Sequence, residues 1–246
     1  MCSVVMPAYN SERFIADALD SALGQTLHDI EILVVDDCSK DKTAEIVAHY
    51  AESDQRVKYL KQEQRMGAAA ARNRAIAAAR ADWIAFLDSD DIWLSDKLER
   101  QMIYCLEADT SLCFTAARFI NDDGSHTNRI PPIPLSVDYA HLLRGNVMVT
   151  SSVVTKKESL LHYPMERDDL HEDYITWLRI LKHYGPATGI DEPLVHYRLT
   201  HGSKSRSKLK SAKKTWGSYR LMGLSFPKAS IVFLGYIRHG LKRYYI

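Results

Sequence analysis

The chain has 246 residues, of which 46% are hydrophobic, and this is enough to bury the core of one large or two small domains. No apolar run approaches the roughly 18 to 20 residues that a membrane-spanning helix needs, which argues against an integral membrane anchor. The formal net charge of +1 hides an uneven distribution, because the sequence from residue 201 onwards contains 11 Lys or Arg and no Asp or Glu. Such a basic tail favours an anionic partner, either a membrane or a nucleic acid.

The cysteine content and the first residues indicate a cellular compartment. The four cysteines show no spacing typical of a zinc site, and the sequence opens on a strand-like run without a basic and apolar leader. Disulfides are rare in the reducing cytoplasm. We therefore expect free thiols in a cytoplasmic protein that is soluble or peripheral to a membrane.

In the first hundred residues, short apolar runs alternate with stretches of helical periodicity. Proline cannot donate to a sheet ladder, so Pro7 is expected to end the first strand. The alternation of strand and helix predicts a doubly wound parallel sheet, in which ligands bind beyond the carboxyl ends of the strands. The predicted strands are residues 3–6, 30–35, 57–60 and 83–87, and the predicted helices are residues 11–24, 41–50 and 67–81.

Polar clusters follow three of these strands, at residues 7–10, 36–41 and 88–91. Because parallel strands end at one edge of the sheet, the clusters are expected to form one site. The last cluster holds three carboxylates within four residues, which repel one another by roughly 1 kcal/mol or more at contact. A divalent cation, Mg or Mn, is the simplest partner for these hard oxygen ligands. The alternative is a solvated acidic turn that begins the next helix.

Beyond residue 97 the pattern is mixed, and strands and helices no longer alternate regularly. The predicted elements are a helix to about residue 108, strands on both sides of a turn at 121–124, a proline-rich loop at 130–134, a helix at 169–184 and a strand at 194–199. No internal repeat is visible.

Four motifs carry a family resemblance through their order and spacing. They are residues 4–10 (VVMPAYN), 34–43 (VVDDCSKDKT), 67–73 (GAAAARN) and 86–91 (FLDSDD). With these motifs the first 200 residues resemble a family 2 glycosyltransferase of the GT-A fold. Two positions depart from the usual pattern: Cys38 stands where glycine is commonest, and residues 64–66 replace an Asn-containing run.

The resemblance implies an α/β fold of the nucleotide-diphospho-sugar transferase type, with a mainly parallel central sheet, helices on both faces and a C-terminal helical extension. Residues 1–203 would form the catalytic domain, with a nucleotide-binding half at 1–97 and an acceptor half at 98–203. Residues 204–246 would form a basic amphipathic extension.

The same resemblance implies transfer of a sugar from a nucleotide-diphosphate donor, by analogy a UDP-hexose, with Mn or Mg on the diphosphate. Asp37 matches the position that reads the nucleobase, where a carboxylate accepts a hydrogen bond from a uracil N–H group. Asp36 would support that loop, and the alternative for both is an N-cap of the helix near residue 41. The implied donor-binding residues are Pro7, Tyr9, Asn10, Asp36, Asp37, Arg72, Asp88, Ser89, Asp90 and Arg198, and the implied metal ligands are Asp90, Asp88 and His201.

Asp90 is the implied direct metal ligand, with Asp88 contacting ribose or metal-bound water. Arg72 would contact donor phosphate or orient the acidic loop, unless it is a solvated arginine on a helix face. Arg198 and His201 fall where family members carry a loop that closes over the diphosphate. Either residue would bind phosphate or metal there, although a histidine in a polar loop is more often solvated.

On the acceptor side, residues 171–179 resemble the Glu-Asp motif of the family, which is followed four residues later by Trp. This implies an inverting displacement with Asp173 as the general base and Glu172 orienting the acceptor or Asp173. The alternative is a first helical turn whose acids complement the helix dipole. Trp177 would stack on an acceptor sugar or pack in the core.

The tail supports two interpretations: an interfacial amphipathic element on an anionic membrane, or two helices that pack on the body or on a second subunit. The whole pattern resembles bacterial enzymes of surface polysaccharide assembly, such as teichuronic acid and O-antigen glycosyltransferases, whose acceptors are lipid-linked sugars at the cytoplasmic face of the membrane. The alternatives are a non-catalytic glycan- or membrane-binding scaffold, and a sugar-nucleotidyltransferase or phosphohydrolase. Nucleic-acid binding is not expected, because no recognised module is present.

Overall fold

The computed structural model describes residues 1–200 and 208–245. The strands are β1 (Cys2–Ala8), β2 (Ile30–Asp36), β3 (Val57–Lys61), β4 (Trp83–Phe86), β5 (Ile92–Trp93), β6 (Leu112–Asn121), β7 (Ser136–Val137), β8 (Val154–Lys156) and β9 (Ala187–Leu199). The helices are α1 (Ile15–Leu23), α2 (Thr43–Ser53), α3 (Ala68–Ala78), α4 (Lys97–Glu107), α5 (Tyr139–Leu143), α6 (Lys157–His162), α7 (Glu172–Tyr184), α8 (Lys208–Leu221) and α9 (Phe226–Tyr245), with a short 3-10 helix at Thr150–Ser152.

Within these described residues the strands form one nine-stranded sheet in the order β3-β2-β1-β4-β8-β6-β9-β5, and β7 pairs with β9. The four strands β3, β2, β1 and β4 are parallel, as the alternating pattern predicts. The second half of the sheet is mixed, because β8, β5 and β7 each pair antiparallel with their neighbours. β6 and β9 pair in parallel over nine residue pairs, the longest ladder of the sheet, so the predicted mainly parallel sheet is confirmed.

Helices cover both faces of the sheet, and each face has its own apolar cluster. One cluster joins alternate residues of β1 and β2 to α1, where Ile15, Ala18, Leu19 and Ala22 are buried at helical spacing. The other cluster joins the opposite side of the same strands to α3, α7 and the C-terminal helices. The predicted α/β class with helices on both faces is confirmed.

The prediction that Pro7 ends the first strand is wrong, because β1 continues to Ala8. The register pairs Pro7 with Val35 of β2 on one side. On the other side the ladder with β4 ends at Val5 and Phe86. The amide hydrogen that proline lacks would therefore point past the end of β4, where no ladder bond is required.

In the second half one further expectation fails, and two short helices were not predicted. The turn at 121–124 is flanked by a strand, β6, on one side only. The returning chain is hydrogen-bonded to Phe119 and Asn121 and forms a bridge between Ile120 and His126, but it is not a strand. The short helices α5 and α6 lie in segments without a predicted helix, since five or six residues are too few to show a helical period.

The C-terminal helices pack on the body, as one of the two interpretations of the tail predicts. Tyr219 of α8 is buried, and its hydroxyl donates to the Leu143 carbonyl at 2.6 Å. The ammonium of Lys214 donates to the carbonyls of Asp168 and Leu170 just before α7. In the described part of the chain no helix combines the length and the apolar character that crossing a bilayer would require. The predicted domain boundary at residue 203 lies outside the described residues.

Candidate active site

The loops after β1 and β2 interlock at the carboxyl edge of the sheet. The backbone N–H of Asn10 donates to the Ser39 hydroxyl at 3.0 Å, and the Asn10 side-chain oxygen accepts from the Lys40 N–H at 2.9 Å. The Arg65 guanidinium lies 4.0 Å above the centre of the Tyr9 ring. Residues 7–10 and 36–41 thus form one wall of a site, and Arg65 joins it although the sequence pattern marked it only as a departure from the family.

Asp36 and Asp37 have different surroundings. The buried Asp36 carboxylate accepts from the Ser39 N–H and from the Tyr59 hydroxyl, both at 2.9 Å, so it stabilises its own loop. Neither carboxylate caps α2, because Asp41 accepts from the Thr43 N–H at 3.0 Å instead. Cys38 has a φ of 65°, a left-handed conformation in which glycine is least strained. This explains why glycine is the commonest residue at this position.

The Asp37 carboxylate lies at the amino end of α3. One oxygen accepts from the Gln62 side-chain amide at 2.8 Å and from the Met66 N–H at 2.6 Å, and the other accepts from the Gly67 N–H at 2.8 Å. A carboxylate oxygen can accept two hydrogen bonds, so the second oxygen retains capacity for a further donor.

The amino end of α3 also depends on a residue about a hundred positions away. The Asp168 carboxylate accepts from the Ala69 N–H at 3.0 Å. Gly67 has a φ of 90°, and a Cβ atom there would come within 2.3 Å of the Asp168 carboxylate. The positive φ favours glycine at this position, and the loop before α7 is attached to the carboxyl edge of the sheet.

The acidic loop, residues 88–91, is a tight turn after β4 that is held from its inner side. The Asp91 N–H donates to the Asp88 carbonyl at 3.0 Å. The buried Asp91 carboxyl accepts from the Ser151 hydroxyl and, at 2.9 Å, from the Arg198 backbone N–H. Burial, together with the charges of Asp90 and Asp88, raises the pKa of Asp91 well above its ordinary value.

Asp90 lies on the outer side of the acidic loop. Among the described residues, no other residue donates a hydrogen bond to its carboxylate. Burial and the negative charge of Asp88 raise the pKa of Asp90 to about 6. A carboxylate in this state is stabilised by a cation. Asp90 therefore fits a divalent ion, with Asp88 next to it, although no group of three His, Cys, Asp or Glu side chains in the described residues is arranged around such an ion.

Arg72 of α3 connects the acidic loop to α7. Its guanidinium is buried and donates to Asp88 at 2.7 Å and to Glu172 at 3.1 Å. Burial alone would lower the pKa of Arg72, but the charges of Asp88 and Glu172 outweigh burial and raise it. Of the roles considered for Arg72, the structure shows the orientation of the acidic loop and excludes a solvated arginine.

The 3-10 helix places two hydroxyl groups between the acidic loop and the amino end of α7. The Thr150 hydroxyl donates to the Asp173 carboxylate at 2.7 Å, and the Tyr174 N–H donates to the other oxygen at 2.7 Å. The next residue, Ser151, accepts from the Asp88 N–H at 3.0 Å and donates to Asp91. Neither residue could be singled out from the sequence, because neither belongs to a motif or an element of predictable period.

The remaining predicted site residues have varied positions. Ser89 shares a hydrogen bond of 2.8 Å with the Ser11 hydroxyl beneath the acidic loop. Arg198 is buried and donates to the Asp90 carbonyl at 2.9 Å and to the Asp122 carbonyl at 3.2 Å, so it holds the backbone of the acidic loop. Trp177 is buried and packs edge-to-face on Phe86 at 5.3 Å, which assigns it to the core. His201 lies outside the described residues.

The comparisons with solved structures agree with this fold. The structure of the chain is similar to that of S. aureus TarS in complex with UDP-GlcNAc, with a TM-score of 0.76 and 19% identity. The match covers 96% of this chain and 71% of that chain. It is also similar to the mannosyltransferase PcManGT from Pyrobaculum calidifontis in complex with GDP-Man and Mn²⁺, with a TM-score of 0.70 and 19% identity. This match covers 95% of this chain and 68% of that chain. These similarities define the fold, which is of the GT-A type.

The family follows from the sequence comparisons. Residues 3–159 match the model of Glycosyl transferase family 2, and the chain belongs to this family. It is 36% identical to TuaG of Bacillus subtilis (strain 168), whose name assigns it to teichuronic acid biosynthesis, over 99% of this chain and 97% of that protein. It is also 36% identical to WfgD of Escherichia coli, named as a UDP-Glc:alpha-D-GlcNAc-diphosphoundecaprenol beta-1,3-glucosyltransferase, over 99% of this chain and 95% of that protein.

Proposed function

We propose that this glycosyltransferase moves a sugar, with inversion, from a UDP-sugar to a hydroxyl group of a lipid-linked glycan during assembly of a bacterial surface polysaccharide. The observation that carries the proposal is the pair of bonds from Arg72 to Asp88 and to Glu172. These bonds bring the acidic loop and the first turn of α7 into one site. The site then has a donor side at residues 88–91 and an acceptor side at Asp173.

The choice of donor and acceptor class is supported by relatives. WfgD, which is similar over nearly its whole length, is named for a UDP-Glc donor and an acceptor linked to undecaprenol through a diphosphate. The name of TuaG refers to another surface polysaccharide, teichuronic acid. An acceptor on a membrane lipid implies that the enzyme works as a peripheral protein at the cytoplasmic face of the membrane, with its basic C-terminal tail towards anionic lipid.

In the proposed reaction the acceptor oxygen attacks the anomeric carbon while the bond from that carbon to the diphosphate breaks. The hydroxyl proton passes to Asp173, and the nucleoside diphosphate leaves with the electron pair. The Thr150 hydroxyl and the Tyr174 N–H each donate to one oxygen of Asp173, which fixes the carboxylate and leaves a lone pair for the proton. Glu172 is held by Arg72 next to this base and orients the acceptor.

On the donor side, Asp37 would read the uracil through its remaining acceptor capacity, next to Tyr9 and Asn10. Asp90 and Asp88 would hold Mn or Mg, which when bound offsets the negative charge of the diphosphate. His201 is proposed as a further ligand. Arg72, Ser89 and Arg198 would act on the donor indirectly by shaping the acidic loop, and Pro7 would shape the neighbouring loop.

The proposal is tested by measuring heat stabilisation and donor hydrolysis with UDP-, GDP- and dTDP-sugars, each in the presence of Mn, Mg or EDTA. We expect a cation-dependent response to UDP-sugars only. A response to GDP-sugars alone would contradict the donor class, and PcManGT, solved with GDP-Man, shows that the fold accommodates such a donor. No response to any nucleotide in a folded sample would favour a non-catalytic scaffold, and phosphate release without sugar transfer would favour a phosphohydrolase.

The base is tested by Asp173→Asn, which keeps the shape of the side chain and removes its basicity. We expect kcat for sugar transfer to fall by about 10²- to 10⁴-fold with donor binding unchanged. Thr150→Val keeps the carboxylate and removes one hydrogen bond, so it should lower kcat by about tenfold, the equivalent of one such bond. Full activity in Asp173→Asn would contradict the assignment.

A further inference from the structure

The last helix has two faces with different surroundings. Ala229 of α9 is buried, and Phe233 lies between Trp216 and Tyr236 in contact with α8. The opposite side and the start of the helix expose large apolar side chains to solvent. These are Phe226, Ile231, Leu234 and Ile237, with exposed fractions of 67%, 71%, 67% and 43%. We call these four residues, with the exposed basic residues Lys228 and Arg238, the α9 face.

The charged residues of the C-terminal segment that carries the α9 face have a single sign. The sequence from residue 201 onwards contains no Asp or Glu, so no acid of this segment neutralises Lys228 or Arg238. A long basic side chain can keep its charge at a lipid headgroup while its stem lies along the hydrocarbon. An apolar stripe flanked by cations is complementary to an anionic lipid surface. Two copies of the α9 face would instead bring like charges together.

The position of the α9 face relates it to the acceptor side of the site. The Tyr236 hydroxyl lies 3.5 Å from the Ser211 hydroxyl of α8. Ser211 in turn lies 3.3 Å from the ring nitrogen Nε2 of His171, the residue immediately before Glu172 and Asp173. Packed helices lie about 8 to 10 Å apart. α8 therefore lies between α9 and the first turn of α7, and the α9 face is on the exposed side of α9.

We infer that the α9 face docks on an anionic bilayer, with α9 lying along the surface rather than crossing it. Because α8 joins α9 to the residue before α7 through partly buried contacts, docking would hold the proposed base at a fixed height above the lipid headgroups. The purpose of this arrangement rests on the proposed lipid-linked acceptor, but the binding itself does not. A basic tail that is merely attracted to charge would not need the four exposed apolar side chains.

The test is sedimentation of the full chain, without donor, with vesicles of phosphatidylcholine alone or mixed with phosphatidylglycerol. We expect binding to the mixed vesicles, weakened by salt because exposed charges are screened. The variant Ile231→Ser with Leu234→Ser should bind these vesicles at least about tenfold more weakly for each replaced residue. The matched control is Leu106→Ser on α4, where the leucine is 68% exposed but lies outside the tail, and its binding should be unchanged.

Several outcomes would overturn the inference. One is equal vesicle binding by the double variant and by Leu106→Ser. Another is a dimer in solution that only the double variant abolishes, which would assign the α9 face to a second copy of the chain. Binding to RNA that matches the binding to mixed vesicles would also contradict it. Heat stabilisation by UDP-sugars is measured on the same variants, so a failure of lipid binding with an intact donor response leaves the proposed function standing.

Discussion

The carboxyl groups on the two sides of the acidic loop differ in the hydrogen bonds that they accept. On the inner side, Asp91 is fully buried and accepts hydrogen bonds from Ser151 and Arg198. On the outer side, Asp90 receives no hydrogen bond from any other described residue, and both burial and the charge of Asp88 oppose its ionisation. The carboxyl group of Asp91 thus stabilises the turn, whereas the ionised form of Asp90 would be stabilised by a bound cation. We therefore expect changes at Asp91 to affect stability and changes at Asp90 to affect cation binding.

The largest expected effect comes from Arg72→Met, which removes the guanidinium group that joins the acidic loop to the first turn of α7. Asp88 and Glu172 would then lie partly buried without their shared partner. Breaking such a pair by removing one member costs about 3–5 kcal/mol. Urea unfolding should show this loss, while Arg13→Met, which breaks a pair in which Arg13 is 64% exposed, should cost less than about 1 kcal/mol. Equal losses in the two variants would show that Arg72 does not organise the site.

Asp90→Asn tests the outer side alone. The amide keeps the shape of the side chain but is a poor ligand for Mn or Mg, so kcat/KM should fall by about 10²- to 10³-fold, the scale of losing one charge-stabilising group. In EDTA the same variant should be no less stable than the wild type, because a carboxylate opposed by Asp88 has been removed. A melting temperature several degrees below that of the wild type would mean that Asp90 is needed for the fold.

The raised pKa of Asp90 also predicts how stability and cation binding depend on pH. Its value of about 6 in the folded protein lies above its ordinary value, so the folded state binds a proton more readily than the unfolded state. Without a cation, stability should therefore increase as the pH falls from above 6 towards 4. The affinity for Mn should decrease by up to about tenfold per pH unit below about 6, because the proton competes for the same oxygen. Calorimetric titration measures this slope, and a pH-independent affinity would contradict Asp90 as a ligand.

The parts of the site that could be predicted are those that follow strands. The alternation of apolar and helical segments predicts β1 to β4 and hence the meeting of residues 7–10, 36–41 and 88–91 at one edge. The same reasoning fails for Pro7, because the end of a neighbouring strand, which a local pattern does not reveal, decides whether proline is tolerated. It also leaves the role of Arg72 open, because its two partners come from segments far apart in the sequence.

The contacts that could not be predicted connect distant segments through single side chains. Thr150 and Ser151 lie in a short 3-10 helix, and their bonds to Asp173 and Asp91 span 23 and 60 positions. Asp168 reaches the amino end of α3 across 99 positions. Each is a small polar residue without periodicity, and only the tertiary structure selects its partner.

The smallest expected effect is on the inner side, where Asp91→Asn should cost less than about 1 kcal/mol. With its pKa raised by burial and by the neighbouring carboxylates, Asp91 is readily protonated, and a neutral carboxyl resembles the amide. The amide oxygen can still accept from the Arg198 N–H, and its NH₂ can donate to the Ser151 hydroxyl. Asp91→Leu offers neither bond and should cost about 1–3 kcal/mol for each group left without a partner. If urea unfolding found Asp91→Asn as unstable as Asp91→Leu, the inner carboxyl group would be ionised, and the turn would depend on negative charge on both of its sides.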